Sequence, residues 1–326
     1  DKRAEDLFGE VEYACPSCLS LKGAEAQING YVVLKNLGHG GMGRVDLVYH
    51  SATARVLVMK KILKLDSEQL VKRFEREVRF TQELVHPNLV RYVDSGIDGR
   101  EPFLVMQYVR GSCLGNLLMA RNQPLEPKEA VNYIESALQG LEAMHQQKIV
   151  HRDIKPENIL IKPNPKGKSV AKLADFGISK KYAESGGSVL TQKGMILGTI
   201  LYMSPEQIKD CRNVREPADT YSMGITLYYL LTGQFPYDFP TKLELQKLQM
   251  KDLKGYGMES IFARIAAAQK LNPMSIILNN KPLPVLQRKS SIPKKLAQVV
   301  DRAVMKDMGS RYQSAGDFRK DLLKAL

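Results

Sequence analysis

A short run in the middle of the chain constrains its structure most. Residues 151–158 read His-Arg-Asp-Ile-Lys-Pro-Glu-Asn, and an Asp-Phe-Gly triplet begins further on at Asp175. The run therefore places an acid (Asp153), a cation (Lys155) and an amide (Asn158) on one loop, with a second acid downstream. Transfer of a phosphoryl group from a magnesium nucleotide needs such a set: an acceptor for the hydroxyl proton, a cation near the phosphate and oxygen ligands for the metal.

Length and composition bound the class of protein. The 326 residues, 44% of them apolar, suffice for one large domain or two modest lobes. No apolar run approaches the roughly 18 residues of a membrane span, and the longest, Gly224–Leu231, predicts a buried helix. The charged start carries no signal peptide and no Met, so we expect a piece of a longer chain. Four cysteines supply no disulfide framework at this length, which favours a reducing compartment and predicts a cytoplasmic location.

The net charge of +13 has two explanations. A basic chain can attract nucleic acid, an anionic membrane or acidic substrates. A solvated surface together with a phosphate-binding cleft would give the same balance. Because the lysines are scattered rather than blocked, we favour the second explanation and do not expect nucleic acid as a partner.

The chain divides into three parts by pattern. Residues 1–29 form a polar extension with little periodicity, and residues 30–109 contain short β-rich runs interrupted by one helical stretch at Glu68–Leu84. Helical spacing dominates residues 110–326. One apolar stripe there consists of Val131, Ile134, Leu138 and Leu141. The pattern predicts a small strand-rich lobe followed by a larger helical lobe.

A glycine-rich segment lies at the start of the strand-rich part. Residues 38–43 read Gly-His-Gly-Gly-Met-Gly, and glycines let backbone N–H groups approach phosphates without a side-chain clash. A dinucleotide-binding turn has similar spacing but needs a helix next. Here Arg44–Tyr49 reads as a strand, which favours a hairpin lid over phosphates. A plain flexible turn is the alternative.

A lysine follows the apolar run Val56–Met59. We predict that Lys60 ends this strand and places its cation near the α- and β-phosphates of a nucleotide, although the adjacent Lys61 could take that role. Glu77, on the helical stretch, is the natural counter-ion, with Glu75 on a different helix face as the alternative.

Together these motifs resemble those of the eukaryotic-type protein kinases, and the Gly-Gly-Met-Gly wording is similar to that of the bacterial serine/threonine branch. The resemblance covers about residues 31–326. It implies an α+β, bilobal protein-kinase fold with a β-rich N-lobe at 30–109 and a helical C-lobe at 110–326. Lys155 and the arginine of His-Arg-Asp favour phosphorylation of protein serine and threonine over tyrosine or small molecules.

The resemblance also implies roles for matching positions. Asp153 would orient the substrate hydroxyl and accept its proton, and Lys155 would contact the transferred phosphate. Lys60 paired with Glu77 would position the phosphates. ATP would be the phosphate donor. Asn158 and Asp175 would hold the metal, which would be Mg²⁺ with Mn²⁺ as an alternative.

The same resemblance implies an adenine pocket. Gln107 and Val109 would offer backbone groups to adenine, with Met106 as gatekeeper behind it. Val58 stands where the family usually has alanine, which narrows the pocket. The implied ATP-binding set is Leu37, Gly38, Gly40, Gly43, Val45, Val58, Lys60, Met106, Gln107, Val109 and Leu160.

Three later landmarks follow from the resemblance. Glu206, in a Ser-Pro-Glu triplet, would pair with Arg311. Asp219 would anchor the catalytic loop. Thr199 would lie near the catalytic acid and its neighbouring lysine.

Arg152 beside the catalytic acid indicates control by phosphorylation, because a phosphate on the activation segment would give this arginine oxygens to bind. Thr191 is the preferred phosphosite and Ser188 the second, with a merely solvated threonine as the alternative. Protein substrates are the expected partners, and self-association would allow autophosphorylation.

Several features stay open. Cys15 and Cys18 have the spacing of half a zinc site, and two reduced cysteines are the alternative. Residues 241–291 are longer than in most such kinases and carry an amphipathic stripe that could pack on the large lobe or dock a partner. Two other classes would explain parts of the sequence: a pseudokinase scaffold and a nucleic-acid-binding regulator.

Overall fold

The computed structural model describes residues 27–40, 43–62, 78, 83–99, 101–164, 169–175, 197–211, 213–240 and 272–326. Within this part of the chain, no helix has the length and apolar character needed to cross a membrane. The chain forms two compact units. The first, called the strand-rich unit, comprises residues 1–114, 139–151 and 157–195. The second, called the helical unit, comprises residues 115–138, 152–156 and 196–326.

The strand-rich unit contains two antiparallel sheets. Its strands are β1 (Gln27–Ile28), β2 (Tyr31–Gly40), β3 (Gly43–His50), β4 (Arg55–Ile62), β5 (Tyr92–Asp98), β6 (Glu101–Gln107), β7 (Ser112–Cys113), β8 (Ile159–Lys162) and β9 (Val170–Leu173). Among the described residues, the first sheet has the order β1-β2-β3-β4-β6-β5 and the second the order β7-β8-β9. β1 lies inside the predicted polar extension, so the sheet begins before residue 30. The predicted lobe boundaries stay predictions.

Local chemistry explains how the first sheet forms. Asn29 and Gly30, with φ of 46° and 85°, join β1 to β2, and two consecutive residues with positive φ are what a two-residue hairpin turn needs. β3 and β4 contain four valines, Val45, Val48, Val56 and Val58, and β-branched residues suit a pleated surface. One face of the sheet packs into an apolar core. That core consists of Ile28, Tyr31, Val33, Val48, Leu57, Met59, Phe103 and Val105.

The helices whose bounds lie in the described part of the chain are found from residue 114 onward. They are α1 (Leu114–Arg121), α2 (Pro127–Gln146), α3 (Leu197–Ile200), α4 (Pro205–Lys209), α5 (Glu216–Thr232), α6 (Pro273–Asn279), α7 (Val285–Arg288), α8 (Lys294–Ala303) and α9 (Ala315–Leu323). The predicted stripe of α2 is confirmed, because all four of its residues are buried. α6 and α7 lie in the described part of the long 241–291 segment. Residues 241–271, with the predicted amphipathic stripe, lie outside the described residues.

α5 is the central helix of the helical unit. Fifteen of its residues are buried, so the helix is enclosed on every side, and the buried helix predicted at Gly224–Leu231 is confirmed. The helix begins with a proline in its first turn and ends at Gly233, which has φ 72° and donates its N–H to Tyr229 O. A left-handed glycine at this position is a common helix stop.

The contact between α5 and α8 requires a glycine at position 224. A Cβ at Gly224 would lie 2.6 Å from Ala303 Cβ. We expect Gly224→Ala to lower the free energy of unfolding by about 1–3 kcal/mol through overpacking. The control is Gly309→Ala, where the nearest heavy atom, Asp307 Oδ2, lies 3.5 Å from the added Cβ. Chemical denaturation of both variants checks this, and equal stabilities would contradict the packing argument.

Candidate active site

Side chains alternate between the two faces of β4, so the two candidate lysines, Lys60 and Lys61, project in opposite directions. The side chain of Lys60 is 9% exposed, and its Nζ lies 2.8 Å from Asp175 Oδ1. Lys61 projects from the opposite face of the strand, where its Nζ lies 2.9 Å from Asp98 Oδ2 and 3.8 Å from Glu101 Oε2. Lys60 is therefore the lysine that meets the second acid. β4 continues to Ile62, so the prediction that Lys60 ends the strand is wrong.

The predicted counter-ions Glu77 and Glu75 lie outside the described residues. The same holds for the proposed phosphosites Thr191 and Ser188. Cys15 and Cys18 also lie outside them. Within the described part of the chain, no group of three or more His, Cys, Asp or Glu side chains is placed to hold a metal.

The backbone leading to Asp175 is held on both sides. Ala174 donates its N–H to Asn158 O at 2.9 Å. Its carbonyl accepts a hydrogen bond from His151 Nε2 at 3.0 Å. Asp175 itself has φ 59°, a left-handed conformation that is uncommon for a residue with a side chain. Asn158 and Asp175 thus belong to one hydrogen-bonded segment, as two oxygen ligands of one metal would require.

His151 has a role that the sequence analysis did not assign. Its ring is fully buried, and the hydrogen bond to Ala174 O fixes the ring against the segment that carries Asp175. A histidine followed by Arg-Asp gives only a weak signal for such a contact, because the partner is a backbone carbonyl far along the chain.

Strand register gathers predicted nucleotide-binding residues on one face of the first sheet. Val45 lies opposite Lys60, and Val58 lies opposite Met106. Directly opposed residues share a face, and every second residue of a strand returns to it. Val45, Lys60, Val58 and Met106 therefore project from the same face. Val45 and Val58 are only half-buried, which leaves apolar surface for a ring to cover.

The glycine-rich segment forms the predicted hairpin. β2 and β3 pair antiparallel, with Gly38 opposite Val45 and Gly40 opposite Gly43. Gly43 has φ 135°, a value that only glycine adopts without strain. Leu37, just before the hairpin tip, is 46% exposed. The expectation of a hairpin, against a dinucleotide-binding turn, is confirmed.

The segment after β6 supplies the predicted adenine contacts. Met106, Gln107 and Val109 are all buried. The N–H of Gln107 donates to Arg91 O at 2.8 Å, so its carbonyl is the backbone group that it could offer to adenine. Leu160, another residue of the implied ATP-binding set, is in β8 opposite Cys113.

In the helical unit, the predicted catalytic acid, Asp153, and the nearby Lys155 are in contact. Lys155 Nζ lies 3.0 Å from Asp153 Oδ2 and donates to Thr199 Oγ1 at 3.0 Å. Asp153 is buried, with 8% exposure. The predicted position of Thr199 is confirmed. The three side chains form one polar cluster, in which a cation lies beside an acid that could accept a proton.

The backbone before Asp153 is anchored by two side chains. Arg152 has φ 67°, and its N–H donates to Asp219 Oδ1 at 2.8 Å. The carbonyl of Arg152 accepts a hydrogen bond from Gln207 Nε2 at 2.8 Å. The predicted anchor, Asp219, is confirmed. Gln207 was missed, because a neutral amide that bonds a backbone carbonyl leaves no charge pattern in the sequence.

The predicted pair of Glu206 and Arg311 is confirmed. The guanidinium donates two hydrogen bonds, from Nη1 to Oε1 at 2.7 Å and from Nη2 to Oε2 at 2.8 Å. Arg311 is 1% exposed, and its charge lies 4.8 Å from the centre of the Tyr221 ring. Burial raises the pKa of Glu206, but the hydrogen bonds and charge of Arg311 outweigh it, so the net pKa lies below the usual 4.5.

Residues 31–320 match the family model of the protein kinase domain. The chain therefore belongs to the protein kinase family, which confirms the resemblance. Among curated proteins, serine/threonine-protein kinase PrkC of Bacillus subtilis is 32% identical over 298 residues, which are 90% of this chain and 40% of PrkC. Serine/threonine-protein kinase PknB of Mycobacterium tuberculosis is 32% identical over 297 residues, which are 88% of this chain and 41% of PknB. The chain thus spans about two fifths of each of these two relatives.

A solved structure gives the same answer for the fold. The crystal structure of the Mycobacterium tuberculosis PknI kinase domain matches with a TM-score of 0.65 at 20% sequence identity, over 93% of this chain and 99% of that chain. The predicted protein-kinase fold, with a β-sheet N-terminal part and a helical C-terminal part, is confirmed.

The low pKa of Glu206 makes part of the stability dependent on pH. A group whose pKa is lowered by folding stabilises the protein above its unfolded pKa, near 4.5, and loses that contribution as the pH falls through the folded value. We expect Glu206→Gln to cost about 3 kcal/mol of unfolding free energy at pH 7, because it leaves a buried guanidinium unpaired. The difference from the wild type should shrink below about pH 4.5.

The matched control is Glu129→Gln, which breaks the surface pair with Arg121, an N–O contact of 2.6 Å. We expect at most about 1 kcal/mol there. Chemical denaturation from pH 7 to pH 3.5 measures both differences. A loss for Glu206→Gln that stays constant with pH would contradict the lowered pKa.

Proposed function

We propose that this chain is the catalytic domain of a serine/threonine protein kinase, which transfers the γ-phosphate of ATP to hydroxyl groups of protein substrates. Membership of the family and the names of PrkC and PknB support the class of reaction. The observation that carries the proposal is the contact between Lys60 Nζ and Asp175 Oδ1 at 2.8 Å. It supports the proposal because phosphoryl transfer needs a cation for the phosphates, which Lys60 would be, next to a carboxylate for the metal, which Asp175 would be.

The strand-rich unit would bind the nucleotide. Val45, Val58 and Leu160 would contact the adenine ring, and the hairpin glycines would approach the phosphates. Lys60 would bind the phosphates. Asn158 and Asp175 would hold Mg²⁺, with Mn²⁺ as an alternative, and the metal would neutralise charge on the phosphates. Both ligands offer oxygen atoms, the donors that this metal prefers.

The helical unit would act on the acceptor. Asp153 would orient the substrate hydroxyl and accept its proton. Lys155, 3.0 Å from this carboxylate, would contact the phosphate in transfer. Thr199 holds the lysine in place through its hydroxyl. The anchored backbone of Arg152 fixes the position of the acid that follows it.

Control by phosphorylation is part of the proposal. A phosphate on Thr191, or on Ser188, would bind the guanidinium of Arg152 and order the activation segment. Self-association would bring one copy to the segment of another. A zinc site at Cys15 and Cys18, completed by other ligands, and a cytoplasmic location also stay predictions.

The function is tested by incubation of the wild type and Asp153→Asn with radiolabelled ATP and a serine- and threonine-containing acceptor protein. We expect Asp153→Asn to lower the turnover rate by about 10²–10⁴-fold, because it removes the proton acceptor. The control is Asp238→Asn, whose side chain is 80% exposed and pairs with Arg288. Its rate should match that of the wild type.

Analysis of the labelled amino acids completes the experiment. Phosphoserine or phosphothreonine is the expected product, and phosphotyrosine would contradict the assignment. Equal labelling with Asp153→Asn would remove this residue from the mechanism. Nucleotide binding by the wild type without any turnover would instead indicate a pseudokinase scaffold.

A further inference from the structure

We propose that Asp46 is a positioning residue of the glycine-rich hairpin. Together with Asn36 and Arg44 it joins β2 to β3 next to the glycine-rich segment, and through the hairpin it sets the affinity for the nucleotide. The inference deepens the proposed function and rests on it. These three residues are called the hairpin anchor.

The carboxylate of Asp46 is enclosed and bonded from both strands. Its side chain is 1% exposed. Oδ1 accepts a hydrogen bond from Asn36 Nδ2 on β2 at 2.9 Å and another from Arg44 Nε on β3 at 2.7 Å. A buried carboxylate is costly unless such donors surround it. The geometry of the hairpin is therefore coupled to this one acceptor.

Asn36 lies where β2 becomes irregular. The register of β2 against β3 shifts between Asn36 and Gly38, which marks the bulge where the strand enters the glycine-rich segment. Besides Asp46, Asn36 Nδ2 lies 3.2 Å from Val45 O and 3.5 Å from Gly38 O. One amide thus spans the bulge and joins the two strands of the hairpin.

The hairpin anchor projects away from the nucleotide face. Asp46 lies opposite Met59, and Arg44 lies opposite Lys61. Met59 belongs to the apolar core on the far side of the sheet, whereas Val45 and Lys60 project from the nucleotide face. Asp46 therefore does not touch the nucleotide, and its influence passes through the backbone of β3.

A predicted change in kinetics follows from this placement. In Asp46→Asn, the amide of Asn36 and the guanidinium of Arg44 lose the negative charge of their shared acceptor, and hydrogen bonds to a charged group are stronger than those to a neutral one. A less constrained hairpin spends less time in the form that covers the phosphates, so nucleotide affinity falls. The groups that transfer the phosphate are unchanged. We expect the KM for ATP and the Kd of the nucleotide to rise about tenfold, with kcat within about twofold.

The experiment compares Asp46→Asn, Asn36→Ala and the double variant. Nucleotide Kd is measured by calorimetry and KM and kcat by radiolabelled transfer. The control is Asp98→Asn, which removes the 2.9 Å contact with Lys61 from the same face but leaves the hairpin intact. Its KM should match the wild type. Because the two anchor residues contact each other, the effects of the single variants should not add in the double variant.

Each outcome decides the inference. An unchanged nucleotide Kd in Asp46→Asn would overturn it, and so would an equal rise in Asp98→Asn, because the effect would then be general to the sheet. A fall in kcat without a rise in KM would overturn it as well. If Asp46→Asn does not fold, Asn36→Ala carries the same test. If the wild type binds nucleotide but transfers no phosphate, the proposed function fails while the Kd measurements still decide the inference.

Discussion

One hydrogen bond supports the geometry of the loop that carries Asp153 and Lys155: the bond from the Arg152 N–H to the buried carboxylate of Asp219. With φ at 67°, Arg152 is in a backbone conformation that costs roughly 1–3 kcal/mol. Such a conformation persists only where the surroundings hold it, and here Asp219 binds its N–H while Gln207 binds its carbonyl. Asp153 comes next along the chain, so its direction depends on this anchored peptide. The buried Asp219 thus fixes the direction of one side chain, that of Asp153.

Asp175, in the strand-rich unit, is held in a comparable way. Asp175 is also left-handed, with φ 59°, and the residue before it is bonded through both its N–H and its carbonyl. In both cases a neighbouring peptide is fixed by hydrogen bonds and the acid follows. Rigid positioning of charged groups, rather than any unusual reactivity, is what catalysis of phosphoryl transfer requires from a protein.

Parts of this arrangement could be predicted from the resemblance to the family, and charge is the physical reason why such contacts leave a pattern. The resemblance implied the pair of Glu206 with Arg311 and the anchor at Asp219, and a charged group needs a partner once it is buried. Neutral contacts gave no such signal. Gln207 and His151 bind backbone carbonyls, which every residue has, so no pattern reveals the pairing. The choice between Lys60 and Lys61 needed strand alternation, and the contact between Asn36 and Asp46 needed a bulge whose register the sequence does not state.

The link between Glu206 and Arg311 has a consequence for how the protein is made. The two residues are 105 positions apart, so during synthesis the carboxylate lacks this cation until residue 311 has left the ribosome. Closure of so long a loop is an entropic cost that must precede the gain from the contact. The helical unit therefore cannot complete its folding before Arg311 is available to bind Glu206. A nascent chain arrested before residue 311 would leave Glu206 without its guanidinium partner. Such an incompletely folded chain would be a natural substrate for chaperones and proteases.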